Sequence, residues 1–189
     1  MAQVGAVDCT IRLCRAHNLV VQAGGHCGVW PRRLSEHFKA VHTHEPDPYC
    51  YQAMVRNLGH YRTEEGPNLP PCPNVYTWPW ALGSDGRHVM MKPHKSAGGW
   101  RVADDGTVDT ICGTIDGMNL HACDAIVLDV EGHEAEILKG AARTVDKFRP
   151  VLHLEVLERS REAIEAKVAE FGYVRKHRIH ADEIFVHAG

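Results

Sequence analysis

The stretch NLVVQAGGHCGVWPRRLSEHF, residues 18–38, passes from an apolar run through a glycine cluster into a helical pattern. The run LVVQ at 19–22 is short, apolar and rich in β-branched residues, which suits a buried strand. After the glycines, apolar residues recur at near-helical spacing over 29–39 with charged residues between them, which predicts an amphipathic helix. A strand that turns this tightly into a helix is typical of α/β sheets, which bind ligands at the carboxyl ends of their strands.

The composition narrows the class of protein. With 189 residues, 44% of them hydrophobic and 24% charged, the chain has the size and composition of a single globular domain, predicted over residues 1–189. A formal net charge of −3 gives no general attraction to nucleic acid or to an anionic membrane. We see neither a membrane span nor a signal peptide, so we expect a cytoplasmic protein with no membrane or nucleic-acid partner. The seven widely spaced cysteines predict reduced thiols.

Strand and helix patterns alternate along the chain. Outside the opening stretch, the N-terminal half is predicted to contain a leading helix at 9–17, a strand in AVHTHEPDP (40–48), a helix at 49–58, a turn-rich loop at 59–74, a strand around VYTWPWAL (75–82) interrupted by Pro79, and a hairpin with a mobile covering loop at 83–109. In that last region we expect Trp100 to belong to a movable cover.

The C-terminal half gives the clearest pattern. DAIVLDVEGHEAEILKGAARTVDKF, residues 124–148, predicts a strand at 125–130 and one helix whose apolar face runs from Ile137 to Val145. The predicted elements that follow are a strand in PVLHLEV (150–156), a helix capped by Ser160 and stopped by Gly172, and an antiparallel pair formed by YVRKH and EIFVHA. This alternation predicts a mostly parallel sheet with helices on both faces.

The glycine cluster and the end of the next strand together suggest a nucleoside-containing ligand. Glycine lets backbone approach a ligand closely, and Glu45 follows Gly24 by 21 residues, about where an acidic residue accepts hydrogen bonds from ribose hydroxyls. His26 replaces the second glycine of the G-x-G-x-x-G fingerprint, which argues against NAD. The alternative is that the glycines only permit a tight turn and that Glu45 is a solvated loop carboxylate.

The segments VVQAGGHCGVWPRRLSEHFKAVHTHEPDPYCYQAMVRNL, ALGSDG and DAIVLDVEGHEAEILKGAARTV…FRPVLHLEV resemble the FkbM family of S-adenosylmethionine-dependent methyltransferases. The resemblance covers roughly residues 18–157 and leaves a helix and a strand pair at 158–189. It implies a Rossmann-like class I methyltransferase fold, with a mostly parallel seven-stranded sheet and an antiparallel C-terminal strand. It also implies S-adenosylmethionine as methyl donor, S-adenosylhomocysteine as product, and usually O-methylation.

The resemblance assigns site residues by position. Glu45 matches the ribose-binding acid of the family motif FEPDP, and Asp129 and Glu131 match DVEG at the active-site edge. The cofactor-binding residues that we carry over are Gln22, Ala23, Gly24, Gly25, Gly28, Glu45, Pro46, Ala81, Leu82 and Asp129. Two residues depart from the family pattern: Gln22 stands where an acidic residue is common, and His26 stands where asparagine is common.

Methyl transfer to a hydroxyl requires an aligned acceptor and benefits from a base. His133 is our first choice for the base because its unperturbed pKa lies near neutrality, and Asp129 and Glu131 complete the predicted catalytic set. Asp129, Glu131 and Glu155 would bind Mg²⁺ if they converge. The expected acceptor is a small molecule or a glycan. The alternatives are a catalytically degenerate protein of the same fold that binds S-adenosylmethionine or a partner, and an NAD-dependent oxidoreductase.

Overall fold

The computed structural model describes residues 2–59, 70–93 and 100–189, and the side chains of 5–59, 70–92 and 101–189. The helices are α1 (Ala2–Leu13), α2 (Val29–Ser35), α3 (Pro48–Asn57), α4 (Glu134–Lys139), α5 (Ala142–Phe148) and α6 (Arg161–Glu170). The strands are β1 (Leu19–Ala23), β2 (Ala40–His44), β3 (Val75–Trp78), β4 (Ala81–Leu82), β5 (His88–Pro93), β6 (Trp100–Val102), β7 (Val108–Gly113), β8 (Ala125–Leu128), β9 (Val151–Glu155), β10 (Tyr173–Ile179) and β11 (Asp182–His187).

The main sheet has seven strands in the order β10-β11-β9-β8-β1-β2-β3. Neighbouring strands from β9 to β3 are parallel, whereas β11 pairs antiparallel with both β9 and β10. The predicted mostly parallel sheet with an antiparallel C-terminal strand is therefore confirmed. The chain leaves β1 toward β2 and β3 and returns on the other side at β8, so the order reverses at β1, where α/β sheets bind their ligands.

Helices cover both faces of this sheet, as predicted. All five residues of β1 are buried, which is typical of a central strand in a parallel sheet. Val21, Ile126 and Leu152 pack on one face against α4, α5 and α6. Val20 and Val127 pack on the other face against α1, α2 and α3.

Several element boundaries differ from the sequence prediction. The helix predicted across 137–145 is two helices, broken at Gly140. Gly140 packs directly on the backbone of Gly83, and a Cβ atom at position 140 would overlap the Gly83 carbonyl oxygen. The leading helix begins at Ala2 and ends at Leu13, earlier at both ends than expected. The helix after the glycine cluster ends at Ser35 instead of 39.

The segment VYTWPWAL contributes to two sheets, because β3 joins the main sheet and β4 pairs with β7 in a second sheet of order β4-β7-β5-β6. The hairpin expected within 83–109 is present as β5 and β6. Residues 60–69 of the predicted loop lie outside the described residues. So do residues 94–99 and the side chain of Trp100, and its role as a cover stays a prediction.

In the part of the chain that the structure describes, no helix is long and apolar enough to cross a membrane. None of the seven cysteines, which all lie in the described ranges, forms a disulfide.

Candidate active site

The turn after β1 is tied to the end of β2. Gly24 and Gly28 have φ values of +82° and +90°, and His26 between them also has a positive φ of +45°. The N–H groups of Gly24 and Gly25 both donate to the carbonyl oxygen of His44, at 3.0 and 3.1 Å. The positive φ values explain why two of these positions are glycine.

The glycines also pack against protein. A Cβ atom at Gly24 would overlap the backbone carbonyl of Asp129, and one at Gly25 would overlap the side chains of Met54 and Thr43. The cluster therefore lets the turn contact the segment after β8 and helix α3. Close packing within the protein is itself a sufficient reason for these glycines.

Glu45 is buried at the carboxyl end of β2, only 7% exposed, and is not a solvated loop carboxylate. Its Oε2 accepts the N–H of His26 at 2.7 Å, and its Oε1 accepts the N–H of Asp47 at 2.9 Å. Burial raises the pKa of Glu45 to about 7, against the lowering effect of these two hydrogen bonds. The carboxyl group thus joins the glycine turn to the segment that begins α3, where Asp47 caps the helix by accepting the N–H groups of Tyr49 and Cys50.

Gln22 is fully buried and is used inside the turn. Its amide nitrogen donates to the carbonyl oxygens of Ala23 and Gly24 at 3.0 and 2.9 Å, and its amide oxygen accepts the hydroxyl of Thr43. A carboxylate here would face two carbonyl oxygens, so the glutamine suits the conformation of this turn. A direct contact between Gln22 and the cofactor stays a prediction.

The turn after β8 contains the DVEG segment. Glu131 and Gly132 both have positive φ values, +57° and +98°. Asp129 donates its N–H to the carbonyl oxygen of Ala23 at 3.1 Å, which joins this turn to the end of β1. A positive φ at a residue with a side chain is strained, and such strain is common at functional sites.

Acidic side chains meet at the carboxyl edge formed by β8, β9 and the start of β11. Asp182 is paired in register with Glu155. Burial raises the pKa values of Asp129 and Glu155, and nearby carboxylates, Asp182 among them, raise both further. The Oε2 atom of Glu155 is buried and has no hydrogen-bond partner among the described residues.

A buried histidine lies beside this acidic edge. His153 is fully buried, its Nδ1 lies 2.9 Å from the hydroxyl of Thr10, and its Nε2 lies 3.3 Å from Asp182. The Thr10 hydroxyl also donates to the carbonyl oxygen of Ala6 at 3.2 Å. Neither His153 nor Asp182 was predicted from the sequence; the signal for His153 was a histidine within the apolar strand PVLHLEV.

His133, the predicted base, lies beside Gly83 of the second sheet's first loop. His133 is half-buried just before α4 and makes no capping hydrogen bond. Its Nε2 lies 3.3 Å from where a Cβ atom on Gly83 would be, and its charged neighbours are Glu136 and Lys139. Burial lowers the pKa of His133, which favours the neutral ring. Asp129 instead faces Glu131, Asp182 and the two histidines His26 and His153.

Asp129, Glu131 and Glu155 are predicted ligands of a Mg²⁺ ion only on the condition that they converge. Within the described ranges, no group of three or more His, Cys, Asp or Glu side chains is arranged to hold one. Glu131 pairs instead with Arg159, whose guanidinium lies 3.6 Å from its carboxylate.

Ala81 and Leu82 form the short strand β4 and are both buried. They follow the Trp78–Trp80 pair, whose ring centroids are 4.8 Å apart. Glu45 donates its backbone N–H to the carbonyl oxygen of Trp78 at 3.0 Å, which connects the end of β3 to the end of β2. Pro46, which follows Glu45 and precedes Asp47, the N-cap of α3, is half-buried.

Comparisons with solved structures identify the fold. The chain is similar to the crystal structure of methyltransferase FkbM from Methylobacillus flagellatus KT, with a TM-score of 0.64 and 18% identity, over 91% of this chain and 44% of that chain. It therefore spans less than half the length of that protein. It is also similar to precorrin-6y C5,15-methyltransferase from Geobacter metallireducens GS-15 (TM-score 0.54, 14% identity, 96% of this chain and 84% of that chain).

A third similar structure is magnesium protoporphyrin IX methyltransferase from Synechocystis PCC 6803 with bound SAM (TM-score 0.51, 12% identity, 99% of this chain and 80% of that chain). At these identities the similarity shows the fold, which is that of the class I methyltransferases. The comparison with curated protein sequences gives no match.

The profile of the Methyltransferase FkbM domain matches residues 30–177, which is most of the chain. The match includes β2, the DVEG turn and β9 with Glu155, and it extends beyond the end of the region on which the sequence resemblance rested. The chain belongs to the FkbM methyltransferase family.

Proposed function

We propose that this protein is an S-adenosylmethionine-dependent methyltransferase that methylates a hydroxyl group on a small molecule or a glycan. The observation that carries the proposal is Glu45. It is a buried carboxyl at the end of β2, hydrogen-bonded to the glycine turn at the point where the strand order reverses. Folds of this kind bind the ribose of a nucleoside cofactor with an acidic residue at this point.

The residues at the carboxyl edge of the main sheet fit S-adenosylmethionine. Each oxygen of Glu45 accepts one backbone N–H and keeps capacity to accept a ribose hydroxyl. Asp129 and Glu155 are carboxyl groups at the acidic edge, and a sulfonium bound beside them would favour their ionised forms. When bound, S-adenosylmethionine supplies a methyl group on a positively charged sulfur; the protein holds it, aligns the acceptor and removes the acceptor's proton.

The acceptor side is assigned to Asp129, Glu131 and His133, with Glu155 as a further candidate for the base. Two observations favour Glu155 as the base. Its Oε2 atom has no hydrogen-bond partner among the described residues, and its raised pKa suits proton transfer near neutrality. His133 remains a candidate because burial lowers the pKa of its ring, which favours the neutral form that a base requires.

Calorimetry tests the proposal directly. We expect the protein to bind S-adenosylmethionine and S-adenosylhomocysteine and not NAD. Binding of NAD alone would contradict the proposal and favour an oxidoreductase. Transfer of a labelled methyl group to panels of hydroxyl-bearing and amine-bearing acceptors then identifies the chemistry, with and without EDTA to test a requirement for Mg²⁺.

A second candidate function is binding without turnover. Gln22 favours it, because its amide hydrogen bonds are made inside the turn where family members commonly carry an acid. Tight binding of S-adenosylmethionine with no transfer to any acceptor class would support this alternative.

A further inference from the structure

We infer that Glu134 is a positioning residue of the active site: it holds the DVEG turn in shape, and through that turn it holds the glycine turn that binds the cofactor. The inference rests on the proposed function and extends it to a residue that contacts neither substrate nor cofactor.

Glu134 is fully buried at the first turn of α4. Its Oε1 accepts the N–H groups of Val130 and Gly132, both at 3.2 Å. These two amides flank Glu131, whose backbone is left-handed. A single carboxylate oxygen therefore fixes both sides of the strained residue, since a buried N–H group that loses its partner is costly.

The DVEG turn is in backbone contact with the glycine turn. Asp129 donates its N–H to Ala23, and its carbonyl group lies so close to Gly24 that no side chain fits there. A displacement of the DVEG turn must therefore move the end of β1. Arg159 holds the same turn from the solvent side by donating to the carbonyl oxygen of Glu131 at 2.9 Å. Glu134 holds the buried side of the turn through the N–H groups of Val130 and Gly132.

The test compares three variants by calorimetry with S-adenosylmethionine, each measured well below its own unfolding temperature. Glu134→Leu removes the acceptor at similar volume, and we expect the dissociation constant to rise about tenfold or more. Glu134→Gln keeps an oxygen that can accept both N–H groups, and we expect affinity within about twofold of the wild type. Glu136→Gln is the matched control, because Glu136 lies on the same helix and pairs at the surface with Lys139; its affinity should not change.

Hydrogen exchange on the wild-type chain gives an independent readout should Glu134→Leu fail to fold. We expect the amides of Val130 and Gly132 to be protected, and rapid exchange at both would overturn the inference. Equal affinity in wild type and Glu134→Leu, with only the unfolding temperature lowered, would make Glu134 merely structural. A wild-type protein that binds no S-adenosylmethionine would overturn the proposed function itself, and the inference with it.

Discussion

Individual buried polar residues set the chemistry of this edge. Glu45 is held by two backbone N–H groups, whereas His44, the residue before it, is 1% exposed and neither of its ring nitrogens has a hydrogen-bond partner within the described chain. The rings of Trp78 and Trp80 lie 6.3 and 6.2 Å from the His44 ring. Glu45 therefore presents carboxyl oxygens at the edge of the sheet, whereas the His44 ring is enclosed by tryptophan rings.

Replacing Glu45 tests the cofactor site. We expect Glu45→Ala to weaken S-adenosylmethionine binding, because a hydrogen bond to a charged group contributes about 1.5–3 kcal/mol. That corresponds to roughly tenfold or more in the dissociation constant measured by calorimetry. Glu36→Ala, which removes a surface carboxylate paired with Arg33, is the control and should bind as the wild type does. Unchanged affinity in a folded Glu45→Ala protein would place the adenosine elsewhere.

Replacing His44 tests the cost of the buried ring. Burial lowers the pKa of His44 to about 3; His42 adds to the lowering, and the Trp80 backbone partly offsets it. Because the ring protonates only in the unfolded chain, it should lower stability as the pH falls below the unfolded pKa near 6.5.

We therefore expect His44→Phe to gain stability relative to wild type by about 2 kcal/mol between pH 7 and pH 5, measured by urea unfolding at both values. Comparing the two pH values separates this effect from any change in packing. A difference that stays constant between pH 7 and pH 5 would show that the ring can take up a proton in the folded state.

At the scale of elements, two tight turns face each other across β1 and β8. The glycine turn and the DVEG turn each contain residues with positive φ, and each is fixed by a buried carboxyl, Glu45 for the first and Glu134 for the second. Their backbones touch where Gly24 meets Asp129. The shape of the site therefore depends on contacts between turns that are more than 100 residues apart in the chain.

Gly24→Ala tests this contact. The added Cβ would overlap the Asp129 carbonyl, and alanine disfavours a φ of +82°, so we expect the free energy of unfolding to fall by at least about 1–2 kcal/mol. Gly5→Ala is the matched control: position 5 lies in α1 with open space around it, and alanine there should be neutral or stabilising by up to about 1 kcal/mol.

The result also bears on Gly24→Val, which we expect to abolish cofactor binding. Overlap of the valine side chain with the Asp129 carbonyl is a sufficient reason for that loss. Normal stability of Gly24→Ala would mean that the two turns can separate without cost.

At the scale of the whole molecule, the acidic edge makes stability depend on pH. The pKa of Glu134, like that of Glu45, is raised to about 7, chiefly by burial, and the pKa values of Asp129 and Glu155 are raised as well. A carboxyl whose pKa is higher in the folded than in the unfolded state stabilises the fold fully below the unfolded value near 4.5. That contribution is lost as the pH rises through the folded value.

The buried histidines act in the opposite sense, but only below about pH 6.5, the unfolded histidine pKa. We therefore expect the free energy of unfolding to decrease between pH 6.5 and pH 8, measured by urea unfolding. Glu155→Gln should flatten this decrease, whereas Glu36→Gln at the surface should not. Stability that rises over this interval would show that the carboxyls are ionised at little cost.

The sequence by itself determined the order of elements and the edge of the sheet that carries the site. Continuous apolar runs in β1, β8 and β9 and the helical spacing after them were sufficient, because periodic burial is a local property of the chain. The position of Glu45 could be predicted for the same reason: it follows directly from where β2 ends.

Only the tertiary structure decided which side chains meet. Gly140 and His133 both pack against Gly83, at least 50 residues earlier in the chain. The acidic edge arises because β11 inserts antiparallel beside β9 and brings Asp182 to Glu155. Such contacts join residues distant in the chain, and no local pattern encodes them, since they depend on how strands are ordered in the sheet and how turns pack at its edge.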